Sequence, residues 1–176
     1  MGLREVYDEC FADPDYCAVP DEPRYEFART CLREWDGVDD VIDIGAGRGH
    51  FLRTLDLEDV SAADLRDYGE GGYPFYEYDI SRPQDSIGLW GAATCLDVLE
   101  HLPREFVPTA IDNLRMCSNK LVVTVANHSD VHHGVELHLT QEGEAFWMRK
   151  IERRFKVVAI QRVPNGYFFK CEGKPL

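Results

Sequence analysis

The chain of 176 residues has no apolar run approaching the ~20 residues that a bilayer crossing needs, so no membrane-spanning helix is expected. Residues 1–20 mix acids with Tyr7, Phe11, Pro14, Tyr16 and Pro20 and lack the basic-then-apolar order of a secretory leader. The expectation is a cytoplasmic protein. Six cysteines, at 10, 17, 31, 95, 117 and 171, include no C-x-x-C pair and no metal-finger spacing. Reduced thiols, several of them buried, are expected instead. A surplus of basic residues is also missing, and the net charge of −13 argues against general affinity for phosphate backbones. The deficit is uneven: residues 1–100 carry 24 acids against 8 Lys and Arg, giving −16, while residues 101–176 carry 8 against 11, giving +3. Five of these eleven late cations, Arg149, Lys150, Arg153, Arg154 and Lys156, cluster together and suit a solvated helix face near a helix C-terminus. There is no internal repeat. With 44% apolar and 29% charged residues the chain is globular in composition and about one domain long.

What stands out is Val41-Ile42-Asp43-Ile44-Gly45-Ala46-Gly47-Arg48-Gly49, a short β-branched strand running into three alternate glycines. The following His50 to Leu55 has a helical pattern, so the stretch reads as strand, tight turn and helix, with the helix expected over about 48–56. Such a turn opens nucleotide-binding βαβ units, where glycine lets a ligand approach the main chain. A dinucleotide fingerprint, G-x-G-x-x-G, would need a third glycine at position 50, which is His50. Asp43 adds an electrostatic argument. A carboxylate at the strand end repels the pyrophosphate of NAD, whereas the ammonium and sulfonium of S-adenosylmethionine are attracted to it.

With these residues, Asp43-x-Gly45-x-Gly47-x-Gly49 resembles motif I of the class I S-adenosylmethionine-dependent methyltransferases. The run Asp97-Val98-Leu99-Glu100-His101-Leu102-Pro103 resembles motif IV of small members of that family, and the resemblance covers roughly residues 38–172. It implies a Rossmann-like α/β sandwich around a seven-stranded, mostly parallel sheet. The implied order, numbering the strands along the chain, is 3-2-1-4-5-7-6, with an antiparallel C-terminal hairpin. The implied cofactor is S-adenosyl-L-methionine. Its binding residues would be Asp43, Gly45, Ala46, Gly47, Gly49, Asp64, Leu65, Asp79, Ile80, Asp97 and Val98.

The rest of the chain fits that plan. Asp21 can cap a helix over 22–35, with Pro23 in its first turn, Ala28, Leu32 and Trp35 on one face, and Gly37 ending it. Residues 1–37 form an N-terminal arm and helix, and the arm is either a lid or a surface wrap; 38–176 form the binding domain. Val60 to Leu65 is a second strand whose Asp64 lies 21 residues after Asp43, close to the ~20-residue interval at which such folds place a carboxylate on ribose hydroxyls. Gly69, Gly71, Gly72 and Pro74 leave the second crossover as a loop. Strands follow at 75–78, 92–96 and 121–125, the last an unbroken apolar and β-branched run suited to a sheet buried on both faces. A helical stripe at 106, 107, 110, 111 and 114 precedes it, with Pro108 in the first turn or at a kink. Residues 126–139 make a long loop holding four of the six histidines, and loops of that length tend to be functional. Thr140 can cap a helix through Arg154, and a hairpin follows, with strands from Phe155 to Val163 and Tyr167 to Cys171 around Pro164-Asn165-Gly166.

Methyl transfer from a sulfonium is an in-line displacement, so alignment supplies most of the acceleration, and a base is needed only where the acceptor loses a proton. Candidates for that base are His101, His128 and His133, with His132 and His138 behind them. The leading expectation is methyl transfer to an O or N atom of a small-molecule acceptor, with nucleic acid disfavoured by charge. One alternative takes Glu100, His101 and His138 as ligands of a divalent ion, with Asp97 nearby. That pattern is similar to the E-x-x-E-H and downstream histidine of the metal-assisted small-RNA 2′-O-methyltransferases. Another is a protein that binds the cofactor without catalysis.

Overall fold

The computed structural model describes residues 3–16, 22–69 and 71–175. The elements are α1 (Leu3–Ala12), α2 (Glu22–Arg33), β1 (Asp40–Ile44), β2 (Asp59–Asp64), β3 (Phe75–Glu77), β4 (Ala92–Leu96), α3 (Val107–Cys117) and β5 (Lys120–Ala126). They continue with β6 (Val131–His132), β7 (Val135–Glu136), α4 (Glu144–Ile151), β8 (Phe155–Val163) and β9 (Gly166–Gly173). Seven strands form one sheet in the order β3-β2-β1-β4-β5-β9-β8. Because β6 and β7 pair only with each other, this is the expected 3-2-1-4-5-7-6. β3 through β5 run parallel, and β9 enters antiparallel between β5 and β8.

Both faces of the central strands are buried, and the side chains alternate between two apolar layers. Ile42, Ile44, Ala93, Cys95, Leu121, Val123 and Val125 face α3 and α4. Val41, Ala92, Leu96 and Val122 face α2, which presents Tyr25, Ala28, Cys31 and Leu32, with Trp35 just beyond it. Ile111 on α3 and Trp147 on α4 have no exposed surface. Ile111→Val is expected to cost about 1 kcal/mol, as truncation of a fully packed methylene does; a chemical denaturation midpoint would show it. The five described cysteines are free and buried, and Cys17 lies outside the described residues. Among the described residues no helix is long and apolar enough to cross a membrane.

Several local expectations are corrected. The helix expected over 48–56 is a single 3-10 turn, Leu52–Thr54. Gly49 stands at φ 71° and Leu55 is extended, so a right-handed helix cannot propagate through either end. The helix expected from Thr140 begins at Glu144 with Gly143 as N-cap. Thr140 is buried and donates its hydroxyl to the Leu102 carbonyl at 2.6 Å, so a tertiary partner takes the group a cap would have used. The first residues, which show no clean period, contain α1. The long loop 126–139 carries the β6–β7 hairpin. The second crossover has no helix, as expected. The proposed Asp21 cap lies outside the described residues.

Candidate functional site

A cleft opens at the carboxyl ends of β1 to β4, where the strand order reverses between β1 and β4 and ligands of open α/β sheets bind. The glycine turn makes its floor. Gly45 donates to the Ala63 carbonyl at 2.7 Å, tying the turn to β2. Gly45 sits at φ 78°, and a Cβ there would lie 2.3 Å from Val98 Cγ2, so the strap after β4 packs directly on the turn. Ala46 and Gly47 line the cleft as well, while Gly49 lies behind it against Tyr73.

The acids expected at the strand ends converge here. The β1–β4 register sets Thr94 beside Asp43, and its hydroxyl donates to Asp43 Oδ1 at 2.6 Å. Burial pushes the Asp43 carboxyl up to about 7, opposed by that hydrogen bond and by the charge of Arg24. Asp64 accepts from the Gly47 amide at 2.9 Å through Oδ2 and from the Leu65 amide at 2.7 Å through Oδ1. Its carboxyl is raised to about 6, again by burial and against those two hydrogen bonds. Asp79 folds its own turn, accepting from the Ser81 amide at 3.0 Å and pairing with the exposed Arg82 at 2.9 Å, and Ile80 lies beside it in the wall. Asp97 has φ 53°, a left-handed backbone that Asp tolerates better than most residues. Its carboxylate is held by the Thr124 hydroxyl and by an ion pair with Arg24.

Arg24 was not among the residues expected at the site. Among the described residues it is the one Lys or Arg in a cleft wall that also holds Asp43, Asp64, Asp79 and Asp97. Tyr7, Phe11, Tyr16 and Tyr25 join it from the N-terminal segment, with Phe51 and Tyr78 from the sheet side. α1 therefore covers the glycine turn: Phe11 Cζ would stand 3.2 Å from a Cβ at Gly47, and the Arg48 guanidinium donates to the carbonyls of Phe11, Asp13 and Tyr16 at 2.9–3.2 Å. A signal was present in the sequence, since Tyr7, Cys10 and Phe11 have helical spacing, but it spans barely two turns. The aromatic walls and acids together suit a cationic ligand, which both π faces and carboxylates attract.

Of the candidate bases, His101 lines the cleft, with the Tyr7 ring edge-on at 5.6 Å. Burial and the neighbouring His138 lower it to about 4, so it is a neutral imidazole at physiological pH and a weak base. His128 and His133 are exposed and are not among the residues lining the cleft. His138 is buried behind His101, ring centroids 4.7 Å apart. The imidazoles are oriented alike: His101 Nδ1 faces the Leu137 carbonyl at 3.1 Å and His138 Nδ1 the His128 carbonyl at 2.7 Å. A carbonyl can only accept, so each Nδ1 carries a proton, and the neutral His101 keeps its lone pair on Nε2. Glu100, with no exposed surface, accepts the Ala126 amide at 2.6 Å through Oε1, while Oε2 is buried with no hydrogen-bond partner. Burial and the nearby Asp97 raise its carboxyl well above the usual range. Glu100, His101 and His138 offer ligand atoms that all lie within 4.8 Å of one another.

No protein-family model and no curated protein sequence matches the chain. Solved structures do. The 1,6-didemethyltoxoflavin-N1-methyltransferase of Burkholderia thailandensis, with S-adenosylhomocysteine bound, is 20% identical, with a TM-score of 0.73 over 98% of this chain and 88% of that one. The N-methyltransferase NodS of Bradyrhizobium japonicum, in complex with S-adenosylhomocysteine, is 14% identical, with a TM-score of 0.72 over 98% of each chain. The magnesium protoporphyrin IX methyltransferase of Synechocystis, with S-adenosylmethionine bound, is 16% identical, with a TM-score of 0.68 over 99% of this chain and 98% of that one. The chain has the Rossmann-like fold of the class I S-adenosylmethionine-dependent methyltransferases.

Proposed function

We propose that this chain binds S-adenosyl-L-methionine in the cleft and transfers its methyl group to an O or N atom of a small-molecule acceptor. The observation that carries this reading is the pair of acids, buried Asp43 and half-buried Asp64, on either side of the glycine turn. Asp64 presents two acceptor oxygens to the vicinal hydroxyls of a ribose, and Asp43 faces the cationic methionine end. Arg24 suits the carboxylate of that end, and Ile80 the adenine ring. Bound there, the cofactor supplies an electrophilic methyl on a sulfonium, and the residues of the cleft align it and exclude water. Tyr7, Phe11 and Tyr16 enclose the acceptor side. Two structural neighbours act on 1,6-didemethyltoxoflavin and magnesium protoporphyrin IX, both small molecules. Incubation with S-adenosylmethionine and a panel of small amines and hydroxylated metabolites should release S-adenosylhomocysteine with at least one of them. Absence of calorimetric heat with either form of the cofactor would overturn the reading.

A second reading rests on the buried Glu100, His101 and His138. Two imidazoles whose Nδ1 atoms face carbonyls, beside a carboxylate oxygen without a hydrogen-bond partner, are a donor set for a zinc- or manganese-class ion. Such an ion would hold an acceptor hydroxyl and lower its pKa, replacing the general base that the weakly basic His101 is poorly suited to be. An RNA ribose and a small hydroxylated metabolite both offer that group, and the net charge of −13 favours the metabolite. Glu100→Gln separates the readings. Without a metal the neutral carboxyl and the amide are near-isosteres, and stability should change by no more than about 1 kcal/mol with activity kept. With a metal, activity should fall roughly a hundredfold and a chelator should inhibit the wild type.

A further inference from the structure

The outer histidines, His132 and His133, lie away from the cleft wall, yet the hairpin that carries them turns both toward the N-terminal arm. Val131 pairs with Glu136 and His132 with Val135, leaving His133-Gly134 as a two-residue turn with φ of 48° and 80°. Positive φ at both central positions is type I′ geometry, for which Asn-Gly is the common solution and histidine is not. Neighbours in a strand point to opposite faces. The left-handed residue removes that alternation and brings the two imidazole centroids to 4.2 Å.

Both rings address one atom. His132 Nε2 is 3.6 Å and His133 Nε2 is 3.5 Å from Asp13 Oδ2. The other oxygen of Asp13 accepts the Asp15 amide at 2.9 Å, which orients the carboxylate. His132 Nε2 is buried with no hydrogen-bond partner, and the Tyr16 ring packs on His132 at 4.9 Å. Separations of 3.5 and 3.6 Å are beyond a good hydrogen bond but match neighbouring ligands on a tetrahedral cation, which at ~2.0–2.1 Å bonds stand roughly 3.4 Å apart. The three ligand atoms all lie within 4.8 Å of one another. Two imidazoles and a carboxylate select a zinc-class ion over calcium or magnesium.

We propose that Asp13, His132 and His133 form a divalent transition-metal site that latches the N-terminal arm to the β6–β7 hairpin. The side chain of His133 is 69% exposed, which leaves an entry path and a fourth position for water. The latch acts on α1, whose Tyr7 and Phe11 line the cleft and whose Phe11 carbonyl, with that of Asp13 just beyond the helix, is held by Arg48 of the glycine turn. A bound ion therefore holds the arm down over that turn.

Zinc ion alone is titrated calorimetrically into the cofactor-free protein, and amide hydrogen exchange is followed over residues 3–16. The wild type is expected to bind one more equivalent than H133Q or D13N. Zinc is expected to slow exchange in the arm roughly tenfold in the wild type and not in either variant. The same stoichiometry and affinity in all three proteins would overturn the site, and binding without slowed exchange would overturn the latch. His133 is an exposed turn side chain, so matching thermal melts without zinc serve as the folding control. Both readouts omit the cofactor, so their failure is distinguishable from failure of the methyl-transfer assignment.

Discussion

Asp64→Ala is expected to weaken S-adenosylhomocysteine binding by at least two orders of magnitude while leaving the protein folded. The carboxylate lies at the end of β2 and has a double task. Toward the protein it accepts the Gly47 and Leu65 amides, which shapes the floor of the cleft. Toward a ligand it offers its remaining lone pairs to two ribose hydroxyls, and hydrogen bonds to a charged group contribute roughly 1.5–3 kcal/mol each. Two of them amount to about 3–6 kcal/mol, or roughly two to four decades in Kd at 1.4 kcal/mol per decade. Asp64→Asn keeps one acceptor oxygen and should fall between. Calorimetry with S-adenosylhomocysteine is the measurement; an alanine variant within threefold of wild type would remove the ribose role.

A comparable loss is expected for Asp43→Asn, and it carries a pH signature. The Asp43 carboxyl titrates at about 7 in the folded protein, raised by burial. A raised carboxyl contributes stability that is fully present below its unfolded value and is lost as pH rises through about 7, so without ligand the wild type should lose stability progressively from about pH 4 to about pH 7 and level off above that. Ligand binding runs the other way. A cationic amine beside Asp43 stabilises the ionised form, and ionisation rises from roughly a tenth at pH 6 to three quarters at pH 7.5. Affinity for S-adenosylhomocysteine should therefore rise roughly eightfold across that interval in the wild type, where an α-amino group is still mostly protonated. In Asp43→Asn that rise should flatten, and at pH 7.5 binding should be roughly a hundredfold weaker. At pH 8 the cofactor-free variant should be the more stable protein. An unchanged pH profile in the variant would show that Asp43 does not meet the amine. Asp64, raised to about 6, contributes to the same rise at its acid end, so the two profiles are best compared directly.

The arm meets the cleft through Tyr7, Phe11 and Tyr16, the buried triad meets it through His101, and the hairpin reaches the arm rather than the cleft. Glu136 organises the loop that joins them, accepting from the Ser129 hydroxyl and from the Asp130 and His138 amides, which holds its carboxyl down at about 2. That loop delivers His138 inward and His132 and His133 outward. Two candidate metal clusters thus share one short segment, the Glu100 cluster mostly buried and the Asp13 cluster partly exposed.

The sheet's strands and the acids at their carboxyl ends were legible from residues 38–172 alone, while the strand order came from the family resemblance. β-branched runs, alternate glycines and turn dipeptides act over a few residues, and burial on both faces of a parallel sheet leaves a pattern that needs no partner to be read. The helix after β1 and the start of α4 escaped that logic. The left-handed Gly49 ended one, and the hydrogen bond from Thr140 to Leu102 displaced the other, so each was settled by something outside its own period. The location of the arm, the entry of Arg24 into the cleft and the meeting of residue 13 with 132 and 133, or of 100 with 138, were decided only by the tertiary structure. Periodicity records which face of an element is apolar. Polar side chains brought together from distant segments leave no period, because what joins them is the path of the folded chain.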